Sequence, residues 1–445
     1  MSQPRSRWWT AAPVALALVL AAAVLPVIFL GADATSEAAD EAAAHLPTIR
    51  QFAAQMPAPD VSDYPSATAP GYHLLMSVPA RLGASLAALR VLGSLAGLAL
   101  VLLAWRVAAA ACGPAVAFAL ALPLACSTYV LSGCAWLTTD VLAVLLGTAA
   151  VAVSAFVPPR PRTFLVLAAL FAAAVAVRQT GIALAGPILA AGILGSPLGN
   201  SASSGEQWRG DAPRSWRAVA MALAALVPGA LLLLALVRAW GGLTPPAFRS
   251  LHDRGLSPLA PAYGLALVGA WSVPLLLPLA AEVVRSVRRH ALAVVAVVAS
   301  AVIGAAVPES TVSVDDGRWG GALWVSVGAF PTVASRSPVI VGAAAAGALA
   351  LAALWIRAAE IGRGRHATVV LVGLLSMFAV QAGNSQLWQR YFDPAILVAL
   401  CWLVALGIDR TRPHSAGRAA LGGLLLAAAQ GVLTGLNYAR PAFWP

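Results

Sequence analysis

Residues 40–52 read DEAAAHLPTIRQF, and three side chains in that stretch could do chemistry: Asp40 and Glu41 are adjacent carboxylates, and His45 follows Glu41 by four. A carboxylate can accept the proton of an attacking hydroxyl, and two so close raise each other's proton affinity, which suits a general base near neutral pH. Asp40 is the first candidate for that base and Glu41 the second. Leu46, Ile49 and Phe52 recur every third residue, so the stretch predicts a short amphipathic helix with Glu41 and His45 on one face. The competing reading is a surface helix with solvated charges. A metal held by Glu41 and His45 would need further ligands, and His73 alone is a poor third, so no metal is expected.

The elements that position these residues must lie largely in lipid. The chain has 445 residues, 60% of them hydrophobic and 10% charged, whereas soluble domains run near 45–50% and about 25%. The formal charge of +11 comes from arginine alone, and the arginines punctuate apolar runs rather than cluster on a polar domain. That pattern reads as membrane topology and argues against a nucleic-acid partner. Cys112, Cys126, Cys134 and Cys401 show no zinc spacing; Cys126 and Cys134 could be bridged, and buried free thiols are the alternative. The N-terminus imitates a secretory signal, but its apolar run is long enough to span, so an uncleaved first helix is expected.

The fold class expected is all-α and polytopic, with about thirteen spans near 11–31, 84–105, 113–131, 138–157, 163–177, 179–195, 218–240, 262–281, 290–307, 338–356, 367–382, 393–408 and 417–437. With the N-terminus cytoplasmic, the inner loops collect most of the arginines. The acids then fall outside, among them Asp40, Glu41, Asp63, Asp140, Asp315, Asp316 and Asp393. This places 32–83 and 308–337 on the external face. A Gly/Ser-rich stretch at 196–217 reads as a flexible cytoplasmic linker between 1–195 and 218–445 within one membrane domain. No internal repeat is visible, which weighs against the repeat-built transporters.

The first loop continues PDVSDYPSATAPGYHLL, whose prolines predict an ordered turn back to the membrane. The acidic pair, the later Asp63, SATAPG and Leu89-Arg90 resemble the first luminal loop of GT-C glycosyltransferases. The likeness is to the α-1,2-glucosyltransferase family that adds the terminal glucose to the lipid-linked oligosaccharide of N-glycosylation. WLTTDVLAV (136–144), VRQTGIAL (177–184) and WQRYFDPAI (388–396) are similar to further motifs of that family, in the same order. Two departures stand out: Gly181 replaces the Asn after Arg-Gln-Thr, and Pro394 lies one residue closer to Arg-Tyr.

The resemblance implies a GT-C-like fold and an inverting transfer of a hexose, glucose-like, from a polyprenyl-phosphate donor to an acceptor hydroxyl on the external face. The partners are then the lipid-linked donor, a lipid-linked or envelope glycan acceptor and membrane lipids, with no cofactor. Asp40 or Glu41 would take the proton. Arg390, Arg178 and Arg90 would bind the donor phosphate, since a guanidinium matches phosphate with a planar fork of donors. His45, Asp63, Asp140, Gln179 and Tyr391 would contact substrate, as would Asp316 and Trp319 of the external loop 308–337. Interfacial snorkelling is the alternative for the arginines and the aromatic belt for Trp319. The rival function is a transporter or flippase for a lipid-linked or hydrophobic solute, and a non-catalytic scaffold would require the acidic pair to be fully solvated.

Overall fold

A computed structural model describes residues 7–30, 35–195, 216–249, 255–410 and 412–439. Most of the expected linker, together with Asp33, Asp253, Arg209 and Arg214, lies outside the described residues. Among the described residues the regular structure is helical, with two isolated β-bridges, Ser313 to Arg318 and Val333 to Arg336. Each expected apolar stretch is helical. Among the described residues seven helices are long and apolar enough to cross a membrane, eight when Pro114–Cys126 and Thr128–Ala135, bent by 61° at Ser127, count as one span. The remaining five, including Asp140–Phe156, Pro161–Val177 and Asp393–Leu406, are shorter. At about 1.5 Å per residue a 17-residue helix covers roughly 26 Å, just short of the hydrocarbon thickness.

The boundaries follow local chemistry. Ser85 and Ser337 cap Leu86–Cys112 and Pro338–Glu360 by accepting from Ala88 N (3.3 Å) and Ile340 N (3.4 Å). Pro161 and Pro338 stand in the first turn, where a missing N–H costs nothing. Many large apolar side chains face outward, such as Leu18, Leu231, Leu292 and Ile303. A protein surrounded by water rarely shows so many, but in lipid they cost nothing.

One buried cluster draws on both ends of the chain, including Leu16, Leu100, Leu267, Leu400 and Leu426. Helices in lipid approach through small residues. Ala260–Leu276 and Pro338–Glu360 do so reciprocally: a Cβ on Gly269 would strike the Ala343 carbonyl, and one on Gly347 the Leu265 carbonyl. Cys112, Cys126, Cys134 and Cys401 are all free thiols, so the Cys126–Cys134 bridge does not form. In the first loop, residues 57–70 are irregular as expected, but Gly71–Arg81 forms a second short helix. Pro70 permits this because a proline at a helix start sacrifices no hydrogen bond.

Candidate active site

The segment that carries Asp40 and Glu41 starts as a helical turn, Ser36–Asp40, capped by Thr35 Oγ1, which accepts from Ala38 N (3.2 Å). It widens into a π-type turn over Glu41–His45 and continues as Leu46–Gln55. Ile49 and Phe52 are wholly buried, so the predicted stripe anchors the segment. The two acids diverge to different arginines. Glu41 is 3% exposed; Arg90 Nη2 donates to its Oε1 at 2.5 Å, Arg90 Nε reaches both oxygens at 3.1 Å, and Leu137 N donates to Oε2 at 2.6 Å. Glu41 thereby pins the first loop to the helix Leu86–Cys112 and to the segment leading into Asp140. Arg90 spends its guanidinium on that clamp. Asp40 is 38% exposed and lies 2.6 Å from Arg390 Nη1. Neither the fully solvated helix nor a mutually coupled acid pair describes this arrangement.

Three further charged groups, Asp140, Arg178 and Arg390, meet beside Asp40. Asp140 opens the helix Asp140–Phe156, and its Oδ1 pairs with Arg178 Nη1 while its Oδ2 lies 4.0 Å from Arg390 Nε. Arg178 follows Pro161–Val177 in extended conformation, and the chain then turns sharply, Gly181 N donating to the Arg178 carbonyl at 2.8 Å. A Cβ on Gly181 would stand 2.6 Å from the Ala174 carbonyl carbon. The turn therefore closes only around glycine, which accounts for its departure from the Asn of the resembled motif. Tyr391 lies beside both cations, with Arg178 Cζ 4.7 Å and Arg390 Cζ 5.3 Å from its ring centroid; Arg390 also sits 4.3 Å over Trp388. Arg390 is 10% exposed, yet its Nε and Nη1 have no hydrogen-bond partner, the Asp40 approach being close but unaligned.

Arg178, Arg390, Asp140 and Tyr391 border a cavity with an empty volume of about 940 Å³, open mouth included. Its other walls are apolar, with Leu184, Met377 and Trp402 among them. On the Asp140–Phe156 helix the lining runs from Asp140 to Val151, about 16 Å at 1.5 Å per residue. The cavity thus offers cations at one end of a long apolar groove, a fit for an amphiphile with an anionic head.

The loop 308–337 is tied to the Arg390 segment. Leu387 N and Gln389 N donate to the carbonyls of Gly317 and Gly320 (both 3.1 Å), Trp324 Nε1 to that of Leu387 (2.8 Å), and Leu323 N to Gln389 Oε1 (3.1 Å). Trp319 meets Trp388 edge to face at 5.0 Å. Asp316, in contrast, is exposed and bonded to Arg318 and Ser313. Gln179 uses both ends of its amide on backbone, accepting from Ala69 N and donating to the carbonyls of Ala67 and Leu243. Asp63 accepts from Ala247 N at 2.9 Å. Gln179 and Asp63 stitch loops together rather than border the cavity. His45 Nδ1 lies 2.9 Å from His73 Nε2, and the rings stack. Burial, then the charges of Arg390 and Arg178, push His45 down to about 3, while burial and His45 hold His73 well below the usual histidine range. Both rings are neutral at pH 7. No group of three potential metal ligands occurs among the described residues.

Several residues that sequence reasoning passed over sit beside the site. Glu37, 6% exposed, lies one turn before Asp40. Asp393 is fully buried and accepts from Trp271 Nε1 (2.9 Å) and Gln389 Nε2 (2.8 Å). The i, i+3 spacing of Glu37 and Asp40 was a usable signal; Gln430, in the last helix, carried none.

Comparison with solved structures finds ArnT from Cupriavidus metallidurans bound to undecaprenyl phosphate, 17% identical, covering 98% of this chain and 78% of that one with a TM-score of 0.43. The same protein in its apo state is 16% identical, with 95% and 77% covered and a TM-score of 0.38. No curated protein matches the chain. Residues 67–210, which include Arg90, Asp140 and Arg178, match the family model described as dolichyl-phosphate-mannose-protein mannosyltransferase.

Proposed function

We propose that the chain is an inverting glycosyltransferase of GT-C type that moves a hexose, glucose-like, from a polyprenyl-phosphate donor to an acceptor hydroxyl at the external membrane face. The observation that carries this reading is Arg390, buried with unspent donors next to Arg178 at the charged end of an apolar groove. A phosphate there meets two guanidinium groups, and its prenyl chain lies along the groove. The match of residues 67–210 to a family that transfers mannose from dolichyl phosphate supports the same class of donor.

Transfer then needs one bond made and one broken. The acceptor oxygen bonds to the anomeric carbon, the bond from that carbon to the phosphate oxygen breaks with its electron pair, and Asp40 takes the hydroxyl proton. Arg390 and Arg178 stabilise the charge that develops on the departing polyprenyl phosphate. Asp40 is the base because it is partly exposed, whereas Glu41 has both oxygens occupied. Asp140 positions the two cations and Tyr391 flanks them. Arg90 acts through Glu41, and His45 packs behind the pair without carrying charge.

The test is transfer of radiolabelled sugar from polyprenyl-phosphate donors by the purified protein. Asp40→Asn should lower the rate by roughly 10²–10⁴, the usual worth of a general base, and Arg390→Ala should abolish transfer. Full activity in both variants, each folded normally, would sink the proposal.

A further inference from the structure

A second cavity lies on the other side of Arg390, with an empty volume of about 810 Å³ including its mouth. Glu37, Tyr129, Trp319, Trp388, Gln430 and Asn437 line it, together with Arg390 and Asp393. Asp393, Gln389 and Asn437 are bonded within the wall, but other polar groups are idle. Gln430 is fully buried in the last helix, yet neither its amide nitrogen nor its amide oxygen has a partner, and Trp388 Nε1 is also unpartnered. Glu37 is buried with Ser36 Oγ, at 3.0 Å, as the hydrogen-bonding neighbour of its carboxylate. Buried polar groups in native proteins are almost always satisfied, so a cluster of idle donors and acceptors marks the place of a ligand that satisfies them.

The wall chemistry narrows the ligand. An amide and a carboxylate together match hydroxyl groups, which both donate and accept, and indole rings suit the apolar face of a pyranose. Anions are disfavoured by the two carboxylates of the wall, Glu37 and Asp393. The wall is tightly packed at Gly321, whose φ of +123° is one that side chains avoid and where a Cβ would strike Gln389 Cβ and stand 3.0 Å from the Tyr129 hydroxyl.

We propose that this cavity binds a neutral pyranose ring, with Glu37 and Gln430 bonding its hydroxyls and Trp319 packing on its carbon face. The inference rests on the glycosyltransferase reading and adds to it a sugar site set apart from the lipid groove by Arg390. The ring belongs to the donor's sugar or to a terminal sugar of the acceptor, and the chemistry is shared.

The test is titration of the purified full-length protein in detergent with methyl glucoside, methyl mannoside, methyl galactoside and methyl glucuronide, followed by saturation-transfer NMR. At least one neutral glycoside should bind saturably, with the glucuronide about tenfold weaker or worse. Glu37→Gln should weaken the neutral glycoside about tenfold or more and Gln430→Leu about fivefold or more, the usual worth of charged and neutral hydrogen bonds. Gln430→Leu should also raise the thermal midpoint, since it removes an unsatisfied buried amide, whereas a merely structural glutamine would lower it. Displacement of the glycoside by undecaprenyl-phosphate glucose, but not by undecaprenyl phosphate, assigns the ring to the donor; no displacement by either assigns it to the acceptor. The proposal is overturned if no neutral glycoside binds, if the glucuronide binds equally well, or if both variants bind as the parent does. Binding of undecaprenyl phosphate, weakened by Arg178→Ala but not by Gln430→Leu, reports on the lipid groove separately, so either reading can fail alone.

Discussion

Neighbouring acids in one motif should give opposite phenotypes when neutralised. Glu41 is 3% exposed and its partner Arg90 11%, and the carboxylate takes three contacts from the guanidinium plus the Leu137 N–H. Glu41→Gln leaves that guanidinium buried without a counter-charge, a change that typically costs about 3–5 kcal/mol. Asp40 is 38% exposed, and its pair with Arg390 is partly screened by solvent, so Asp40→Asn should cost no more than about 1 kcal/mol. Replacing both members of the buried pair, Glu41→Leu with Arg90→Met, removes the stranded charge. Only the Leu137 N–H then lacks a partner, for a loss of roughly 1–3 kcal/mol. The double variant should therefore be more stable than Glu41→Gln alone. Chemical unfolding of the detergent-solubilised protein, followed by tryptophan fluorescence, measures all three, and sugar transfer is assayed on the same samples. The reasoning is refuted if Glu41→Gln unfolds like the parent, or if the double variant is no more stable than Glu41→Gln.

Acidification should destabilise the fold through the buried histidines. A histidine held near 3 in the fold but near 6.5 unfolded stabilises fully above about pH 6.5 and loses that contribution as pH falls toward 3. For His45 this amounts to roughly 2 kcal/mol at pH 5 at 1.36 kcal/mol per pH unit, seen as a falling thermal midpoint that is shallower in His45→Gln. Gly181→Asn, which restores the residue of the resembled motif, should instead cost about 1–3 kcal/mol, because the Ala174 backbone occupies the space its Cβ needs. Donor binding should weaken with it as Arg178 shifts, and an Asn variant with unchanged stability and donor affinity would refute the glycine's role. Gly269→Val should push two helices apart at the Ala343 carbonyl and lower stability by a similar amount, whereas Gly304→Val, where a Cβ meets nothing, is the matched control.

The amino-acid sequence by itself determined the material of this protein. Apolar runs bounded by Arg, Pro and Ser state where the helices lie, because lipid demands that every backbone group be bonded within its own segment. The stripe of Leu46, Ile49 and Phe52 announced the first-loop helix, since period is a local property. Asp40, Asp140, Arg178 and Arg390 could be singled out by residue type and motif, and they meet in space. What each acid and arginine does was decided by tertiary structure. Asp40 and Glu41 are identical in sequence terms, but Arg90, 49 positions from Glu41, captures one and Arg390 faces the other. Gln179 and Asp63, chosen for substrate, are spent on backbone across long separations. Gln430, invisible in an apolar helix, borders a polar cavity. A side chain's partner depends on which distant segments packing brings beside it, and no local pattern encodes that choice.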